Sequence, residues 1–201
     1  MGRVHSFDDH AVARLRDRLG AAETARADLL AFARGHSEAV ATIHHAILHT
    51  LDADGIEAML GLVAEDWPGL LGVDLAIIAV VVGDQGFRVD RNGTTLLNPA
   101  IIDRAASITD AVCQAVERGN ALFGNDAGDV RTEALVPIGA DDTSLPRGLL
   151  LLGHRSPVDP GSTHGAELLR FLGDFLAAMM RRWLTLPNPG PPTMEPTQPA
   201  R

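Results

Sequence analysis

A regular spacing of apolar residues in the first 50 positions constrains the fold more than any other feature of the sequence. Positions 12, 15, 19, 22, 26, 29, 33, 36, 40, 43 and 47 alternate three- and four-residue steps, and nine of these eleven are apolar or Ala. This spacing is typical of a long helix whose apolar face pairs with another helix. The first proline is Pro68, so nothing in the sequence breaks the helix early.

We therefore expect residues 1–52 to form a long helix that dimerises the chain through a coiled coil. A single small domain offers too few neighbours to cover such a helix. The predicted interface residues are Val12, Leu15, Leu19, Leu29, Val40, Ile43 and Ile47. The alternative is a long helix that lies over its own domain.

The next segment predicts a short helix followed by strands. Asp54 and Glu57 have the spacing of a capping box, so we expect a second helix from this point towards Trp67, ended by Pro68. Residues 73–82 predict a strand covered on both faces, because residues 75–82 are continuously apolar and rich in β-branched residues.

Turn signals divide the residues that follow. Residues 83–86 and Asn92-Gly93 predict two turns, with strands at 87–91 and 94–97. Asn98-Pro99 predicts the start of a short helix. Apolar residues spaced after Ser107 predict a further helix, capped by that serine and ended at Gly119. Beyond it we expect a loop over 124–129, strands over 131–138 and 147–154, and a final helix over 163–184.

The predicted organisation is thus a helix over 1–52, an α+β domain over 53–184 and a disordered proline-rich tail over 185–201. The tail contains six of the twelve prolines and cannot form a core.

The late strands resemble a known domain. Ala134-Leu-Val-Pro-Ile-Gly139, followed by Gly148-Leu-Leu-Leu-Leu-Gly153, resembles the paired strands late in a GAF domain. The segments 12–19, 30–34, 71–74 and 165–176 are similar to those of one GAF-like bacterial family, catalogued as domain of unknown function 484. The family commonly has an early His-Pro-Asp-Phe-Phe-like stretch that this sequence lacks, so its role is not carried over.

The resemblance implies a GAF-like fold, with an antiparallel sheet flanked by helices, and a homodimer formed through terminal helices. It supplies no catalytic residues. In such a fold the sheet and the helices over it enclose a mostly apolar pocket. The lining residues that we expect here are Leu97, Ile101, Ile102, Val112, Phe123 and Leu135, with Arg88 and Arg131 as polar anchors. The alternatives are an ordinary core for the apolar set and surface ion pairs for the two arginines.

Composition excludes several uses of a GAF fold. The only cysteine is Cys113, and one thiol cannot complete the cycle of the GAF-like methionine sulfoxide reductases, which use several. Pigment-binding GAF domains have a His beside the cysteine, whereas Gln114 follows here. All 17 basic residues are Arg, so the lysine-containing signature of cyclic-nucleotide GAF domains is absent from the sequence.

The formal net charge of −9 resides in residues 51–184, which contain ten Arg and nineteen acids. This balance argues against a nucleic-acid surface and against a membrane anchor. We expect a non-enzymatic, cytoplasmic, dimeric sensory or interaction module for signalling, without a metal or cofactor, that binds a small ligand and an unknown protein partner. A structural dimer without a ligand is the first alternative, and a small redox enzyme that uses Cys113 is the remote one.

Overall fold

A computed structural model describes the backbone of residues 7–139, 147–157 and 163–185, and the side chains of residues 20–27, 33–139, 147–157 and 165–184. The chain divides into two compact units, Met1–His44 and His45–Arg201. Most of the loop predicted after Ile138, and the predicted proline-rich tail beyond Thr185, lie outside the described residues.

Helix α1 spans Phe7–Leu51. The side chains of four predicted interface residues lie outside the described part of the chain, namely Val12, Leu15, Leu19 and Leu29. Of the other three, Ile43 is buried, whereas Val40 and Ile47 are half-buried.

The last two turns of α1 belong to the second unit, where they pack through small residues. Ala46 and Thr50 are fully buried. The Thr50 hydroxyl donates to the Ala46 carbonyl at 2.8 Å and accepts from the indole N–H of Trp67 at 2.9 Å. The exposed His49 also contacts Asp66, with Nε2 and Oδ2 2.7 Å apart. Two polar contacts therefore join the end of α1 to the start of the domain.

The second unit is built around an antiparallel sheet. Its strands are β1 (Leu75–Val82), β2 (Gln85–Asp90), β3 (Gly93–Leu97), β4 (Val112–Ala115), β5 (Thr132–Ile138) and β6 (Gly148–His154). Their order across the sheet is β3-β2-β1-β6-β5-β4. Its helices are α2 (Ile56–Glu65), α3 (Trp67–Leu71), α4 (Pro99–Ala105) and α5 (Thr163–Thr185). The α+β architecture predicted from the sequence is confirmed.

Strand register separates the residues of the sheet into two faces. Ile77 and Ala79 alternate with Ile78 and Val80 along β1, so these pairs point to opposite faces. One face, which we call the α4 face, packs against α4 and a kinked 3₁₀ helix at Ala121–Gly128, the kinked segment. The buried residues of this face are Leu75, Ile77, Ala79, Leu135, Leu149 and Leu151. The opposite face is covered by α2 and α5.

The prediction of a helix over 107–119 is wrong. Val112–Ala115 form the edge strand β4, which pairs with β5. Ser107 caps no helix, because its hydroxyl donates to the carbonyl of Arg104 at the end of α4. A segment of this length has little helical stability of its own. Pairing with β5 decides the outcome instead.

Three smaller boundaries also differ from the predictions. Gly55, not Asp54, is the N-cap of α2, and no side chain caps that helix. Helix α2 ends at Glu65, and Pro68 lies in the first turn of α3. A proline is tolerated there, because the N–H groups of the first helical turn have no acceptor within the helix. The loop predicted over 124–129 is largely the second half of the kinked segment. By contrast, α4 begins at Pro99 as predicted, and the side chain of Asn98 caps it by accepting from the N–H of Ala100.

Candidate functional site

Arg88 is a charged residue on the mostly apolar α4 face. On β2 it lies opposite Ala79 of β1 and Thr95 of β3, so its side chain shares the face of Ala79. The side chain is only 17% exposed. Its Nη2 donates to Oδ2 of Asp90 at 2.6 Å, while Oδ1 of Asp90 accepts from the backbone N–H of Asn92 at 2.7 Å. Asp90 thus fixes one end of the guanidinium.

The other side of the guanidinium lies against the kinked segment. The kink is at Gly124, whose φ is 63°, a left-handed conformation that glycine adopts without strain. A β-carbon added at Gly124 would collide with Nη1 of Arg88. The Nε atom of Arg88 is buried and has no hydrogen-bond acceptor among the described residues. The absence of a side chain at Gly124 therefore leaves space for the guanidinium of Arg88. The Nε–H donor of that guanidinium remains without a hydrogen bond to any described residue.

A buried carboxylate holds the start of the kinked segment. Glu133 is 4% exposed, and its Oε2 accepts from the backbone N–H of Asn120 at 2.7 Å while its Oε1 accepts from Gln114 at 2.9 Å. The side chain of Asn120 then caps the segment by accepting from the N–H of Leu122. These bonds join β4, β5 and the kinked segment.

The second half of the segment is tied to the end of β6. Asp126 accepts from Nη2 of Arg155 at 2.9 Å, and the backbone N–H of Arg155 donates to Asp74 at 2.8 Å. Between the two anchors, Phe123 is almost fully buried, and its ring leaves no room for a β-carbon at Gly153. The kinked segment is therefore held at both ends and in its middle.

The apolar residues that we predicted to line a pocket separate into three groups. Ile102, Phe123 and Leu135 are buried in the core of the α4 face, and the half-buried Leu97 packs against them. Ile101 and Val112 are exposed. The buried three fill the space over the sheet with their own side chains.

The two predicted polar anchors have different surroundings. Arg131 directs Nη1 to backbone carbonyls of Glu117, Gly128 and Val130, at 3.3, 2.7 and 3.0 Å. Its guanidinium thus joins the ends of two connecting segments. Arg88 lies on the α4 face and has a buried guanidinium donor without an acceptor among the described residues. No such unpaired donor is found at Arg131.

A small cleft opens where β2 separates from β1. Their pairing begins at Ile78 and Val89, so the start of β1 is free on that side. The cleft has about 20 Å³ of free space, and roughly 10–15 Å³ suffices for one water molecule. It is lined by Ala64, Pro68, Asp74, Leu75, Ala76, Ile77, Asp90, Arg91, Asn92 and Asp126. The cleft thus adjoins Asp90, the partner of Arg88.

Cys113 faces away from Arg88. It lies opposite Ala134 of β5, so its side chain projects from the face covered by α5. Burial raises the pKa of the half-buried thiol above its ordinary value. The thiolate is the reactive form of cysteine, so this environment lowers the reactivity of the thiol.

The sequence profile of a family described as a protein of unknown function, DUF484, matches residues 1–185. The chain belongs to the DUF484 family. A comparison with curated proteins finds no relative.

Solved structures similar to this DUF484 chain include GAF domains. The GAF domain of an Acinetobacter phosphoenolpyruvate-protein phosphotransferase is 13% identical, with a TM-score of 0.52 over 74% of this chain and 96% of that one. The A. aeolicus nlh2 GAF domain in an inactive state is 12% identical, with a TM-score of 0.54 over 72% of this chain and 96% of that one. The resemblance to a GAF-like family is thus confirmed at the level of family and fold.

Two absences apply to the described part of this DUF484 chain. None of its helices there has the length and apolar character needed to cross a membrane. Within the same residues, no group of three or more His, Cys, Asp and Glu side chains is arranged to hold a metal ion.

Asp90, Gly124 and Glu133, which fix Arg88 or the kinked segment beside it, were not predicted from the sequence. Arg88 and Asp90 are two apart on one strand, so strand alternation could have placed both on one face. Gly124 and Glu133 gave no such signal, because their partners lie far away in the sequence.

Proposed function

We propose that this DUF484 chain is a GAF-like sensory or interaction module that works as a homodimer, performs no catalysis and binds a small ligand on the α4 face. One observation carries the ligand-binding part, namely the mostly buried guanidinium of Arg88, whose Nε has no acceptor among the described residues. A buried donor without a partner is costly and demands an explanation. An acceptor on a ligand would remove that cost.

Exposed apolar residues on the terminal helices support the homodimer. In the last turns of α1, Leu48 is 63% exposed and Leu51 is 44% exposed. On α5, Phe171 and Leu184 are similarly exposed. Together with the apolar seam of residues 12–47, they give both terminal helices side chains that a second copy could cover.

Cys113 supports a role without catalysis. Its pKa is raised by burial, and strand alternation directs it to the face opposite Arg88. A thiol that stays protonated and lies apart from the charged groups of the α4 face is poorly suited to nucleophilic chemistry.

A second candidate function is a structural dimer that binds no ligand. The packing of Ile102, Phe123 and Leu135 into the core favours it, because these side chains occupy the space over the sheet. In this case the GAF-like domain would serve only to hold and orient the terminal helices.

Native mass spectrometry of the full chain, purified from its own host, tests both parts of the proposal. We expect a dimer that retains a small molecule. A dimer with no added mass would favour the structural alternative, and a monomer would refute the homodimer.

Sedimentation velocity of a Leu15→Glu, Leu19→Glu double variant then tests the predicted helical seam. We expect this variant to dissociate at concentrations where the unaltered chain remains dimeric, since buried like charges oppose helix pairing. Leu96→Glu is the control, because Leu96 lies on β3 and is 68% exposed. Equal dimer stability in all three proteins would contradict an interface along the seam.

A further inference from the structure

The surroundings of Arg88 restrict the chemistry of the ligand on the α4 face. We propose that this site binds a short monocarboxylate with a small apolar body, and that the guanidinium of Arg88 holds the carboxylate. The inference rests on the ligand-binding part of the proposed function and adds to it the class of the ligand and the residue that recognises it.

The guanidinium of Arg88 has donors that no described residue uses. A guanidinium carries five N–H donors in a planar fork. Within the described residues the side chain of Arg88 donates from Nη2 to Asp90, and its Nε is buried without an acceptor. Asp90 is itself engaged by the N–H of Asn92, so it positions the guanidinium and cannot turn to satisfy Nε as well.

The planar guanidinium of Arg88 favours an anionic ligand, because it matches the two oxygens of a carboxylate. Asp90 lies 2.6 Å from the guanidinium and already offsets its positive charge. A dianion such as phosphate would therefore be repelled more strongly than a monoanion.

The space beside Arg88 limits the body of the ligand. Apart from Asp90 and Thr95, the neighbours of Arg88 on the α4 face are small, with Ala79 directly opposite on β1 and Gly86 two residues away on β2. A β-carbon at Gly86 would lie only 3.0 Å from the end of the Ile102 side chain. This crowding limits the ligand to a body of few carbon atoms.

Access to the guanidinium is limited by the kinked segment. Gly124 of this segment lies against the guanidinium, and the cleft beside Asp90 holds about 20 Å³ of free space, which is enough for roughly one water molecule. A carboxylate compound therefore requires the backbone at Gly124 to move away from the guanidinium, between the anchored residues Phe123 and Asp126. The glycine at the kink allows such a change in backbone conformation.

The test compares compounds that share a three-carbon body and differ in their head groups. Sodium propionate, propylammonium chloride and 1-propanol, together with inorganic phosphate, are titrated into the ¹⁵N-labelled full chain. The readout is the Nε–H resonance of Arg88, identified by its loss in Arg88→Met. We expect propionate to shift this resonance saturably in the millimolar range, with no saturable shift from the other three compounds.

Variants separate recognition by Arg88 from general effects. Because the Arg88 variants lack the Nε–H resonance, propionate binding by every variant is followed at the backbone N–H resonance of Gly124, which lies beside the guanidinium. We expect Arg88→Met to weaken propionate binding at least about tenfold, as for the loss of a hydrogen bond to a charged group. Arg88→Lys should bind with intermediate affinity, because it keeps the charge and loses the planar fork. Arg147→Met is the matched control, since Arg147 is an arginine 67% exposed on the surface. Far-UV circular dichroism of each variant confirms that it folds.

Several results would overturn the inference. These are an Nε–H resonance that propionate leaves in place, a stronger response to phosphate or propylammonium, and propionate binding that survives Arg88→Met unchanged. A retained host molecule without a carboxylate would also overturn it and would leave the proposed ligand-binding module intact. By contrast, a monomeric chain that binds propionate through Arg88 would refute the homodimer and support the inference.

Discussion

The hydroxyl of Thr50 offers a sharp test of how the end of α1 is fixed to the domain. This fully buried hydroxyl accepts from the indole N–H of Trp67 at 2.9 Å and donates to the carbonyl of Ala46 at 2.8 Å. Trp67 is also fully buried. Thr50→Val removes the hydroxyl and changes the shape of the side chain very little, so the loss of this polar contact dominates its effect.

The magnitude follows from what the substitution leaves behind. The carbonyl of Ala46 loses only the hydrogen bond from the Thr50 hydroxyl and keeps its place in the helix. The buried indole N–H of Trp67, by contrast, has no replacement acceptor. A buried donor without a partner costs about 1–3 kcal/mol. For a protein of this size a loss of 1 kcal/mol lowers Tm by about 2–4 °C, so a loss of roughly 2 kcal/mol predicts a decrease of about 4–8 °C.

Urea unfolding followed by far-UV circular dichroism measures this effect without relying on tryptophan fluorescence. A double-mutant cycle with Trp67→Phe isolates the hydrogen bond from the packing of the indole. We expect a coupling free energy of about 1 kcal/mol or more between the two positions, since the bond is buried. Thr50→Ser, which keeps the hydroxyl, should lose only the contribution of the methyl group.

Two results would refute this reasoning. One is a Thr50→Val protein whose free energy of unfolding lies within about 0.5 kcal/mol of the original, the range typical of uninvolved surface positions. The other is a coupling free energy near zero, which would mean that Trp67 finds another acceptor. Either result would show that the polar contact does not fix the end of α1.

Three further experiments test packing and reactivity. Glu133→Gln should destabilise the domain by about 1–3 kcal/mol in urea unfolding, because the two donors bind different oxygens of Glu133 and the amide replaces one of these oxygens with an NH₂ donor; no change would contradict its anchoring role. Gly173→Ala should destabilise by a similar amount, since its β-carbon would collide with the carbonyl of Pro137. The helical control Gly61→Ala has open space around it and should stabilise by up to about 1 kcal/mol; the same sign for both would contradict the packing argument. Because burial raises the pKa of Cys113, a disulfide reagent at pH 8 should react more slowly with the folded chain than with the urea-unfolded chain, and equal rates would contradict the assigned burial.

The segment after α4 shows where sequence patterns stop being sufficient. Apolar residues at helical spacing after Ser107 predicted a helix, yet Val112–Ala115 form an edge strand. A short apolar pattern fits either structure. The available pairing edge of β5 decides between them, and that edge exists only once the sheet has assembled.

The long apolar strand illustrates the opposite case. Residues 75–80 are all buried, as their unbroken apolar character predicts. A strand that is covered on both faces has apolar residues on both, so apolar and polar residues do not alternate along it. The turn at Asn92-Gly93 was equally predictable from the sequence, since Gly93 adopts a positive φ of 106°, which glycine tolerates without strain. In both places the local sequence contains the physical cause of the structure.

The sequence by itself determined the helices at the two ends, the central strands and the family of this chain. These follow from periodicity and turn chemistry, which act between residues close together in the chain. Only the tertiary structure decided that Arg88 meets Gly124, that Glu133 holds Asn120 and that Thr50 meets Trp67. The candidate site depends on such distant contacts, because a guanidinium gains or lacks a partner only through the backbone that folds against it.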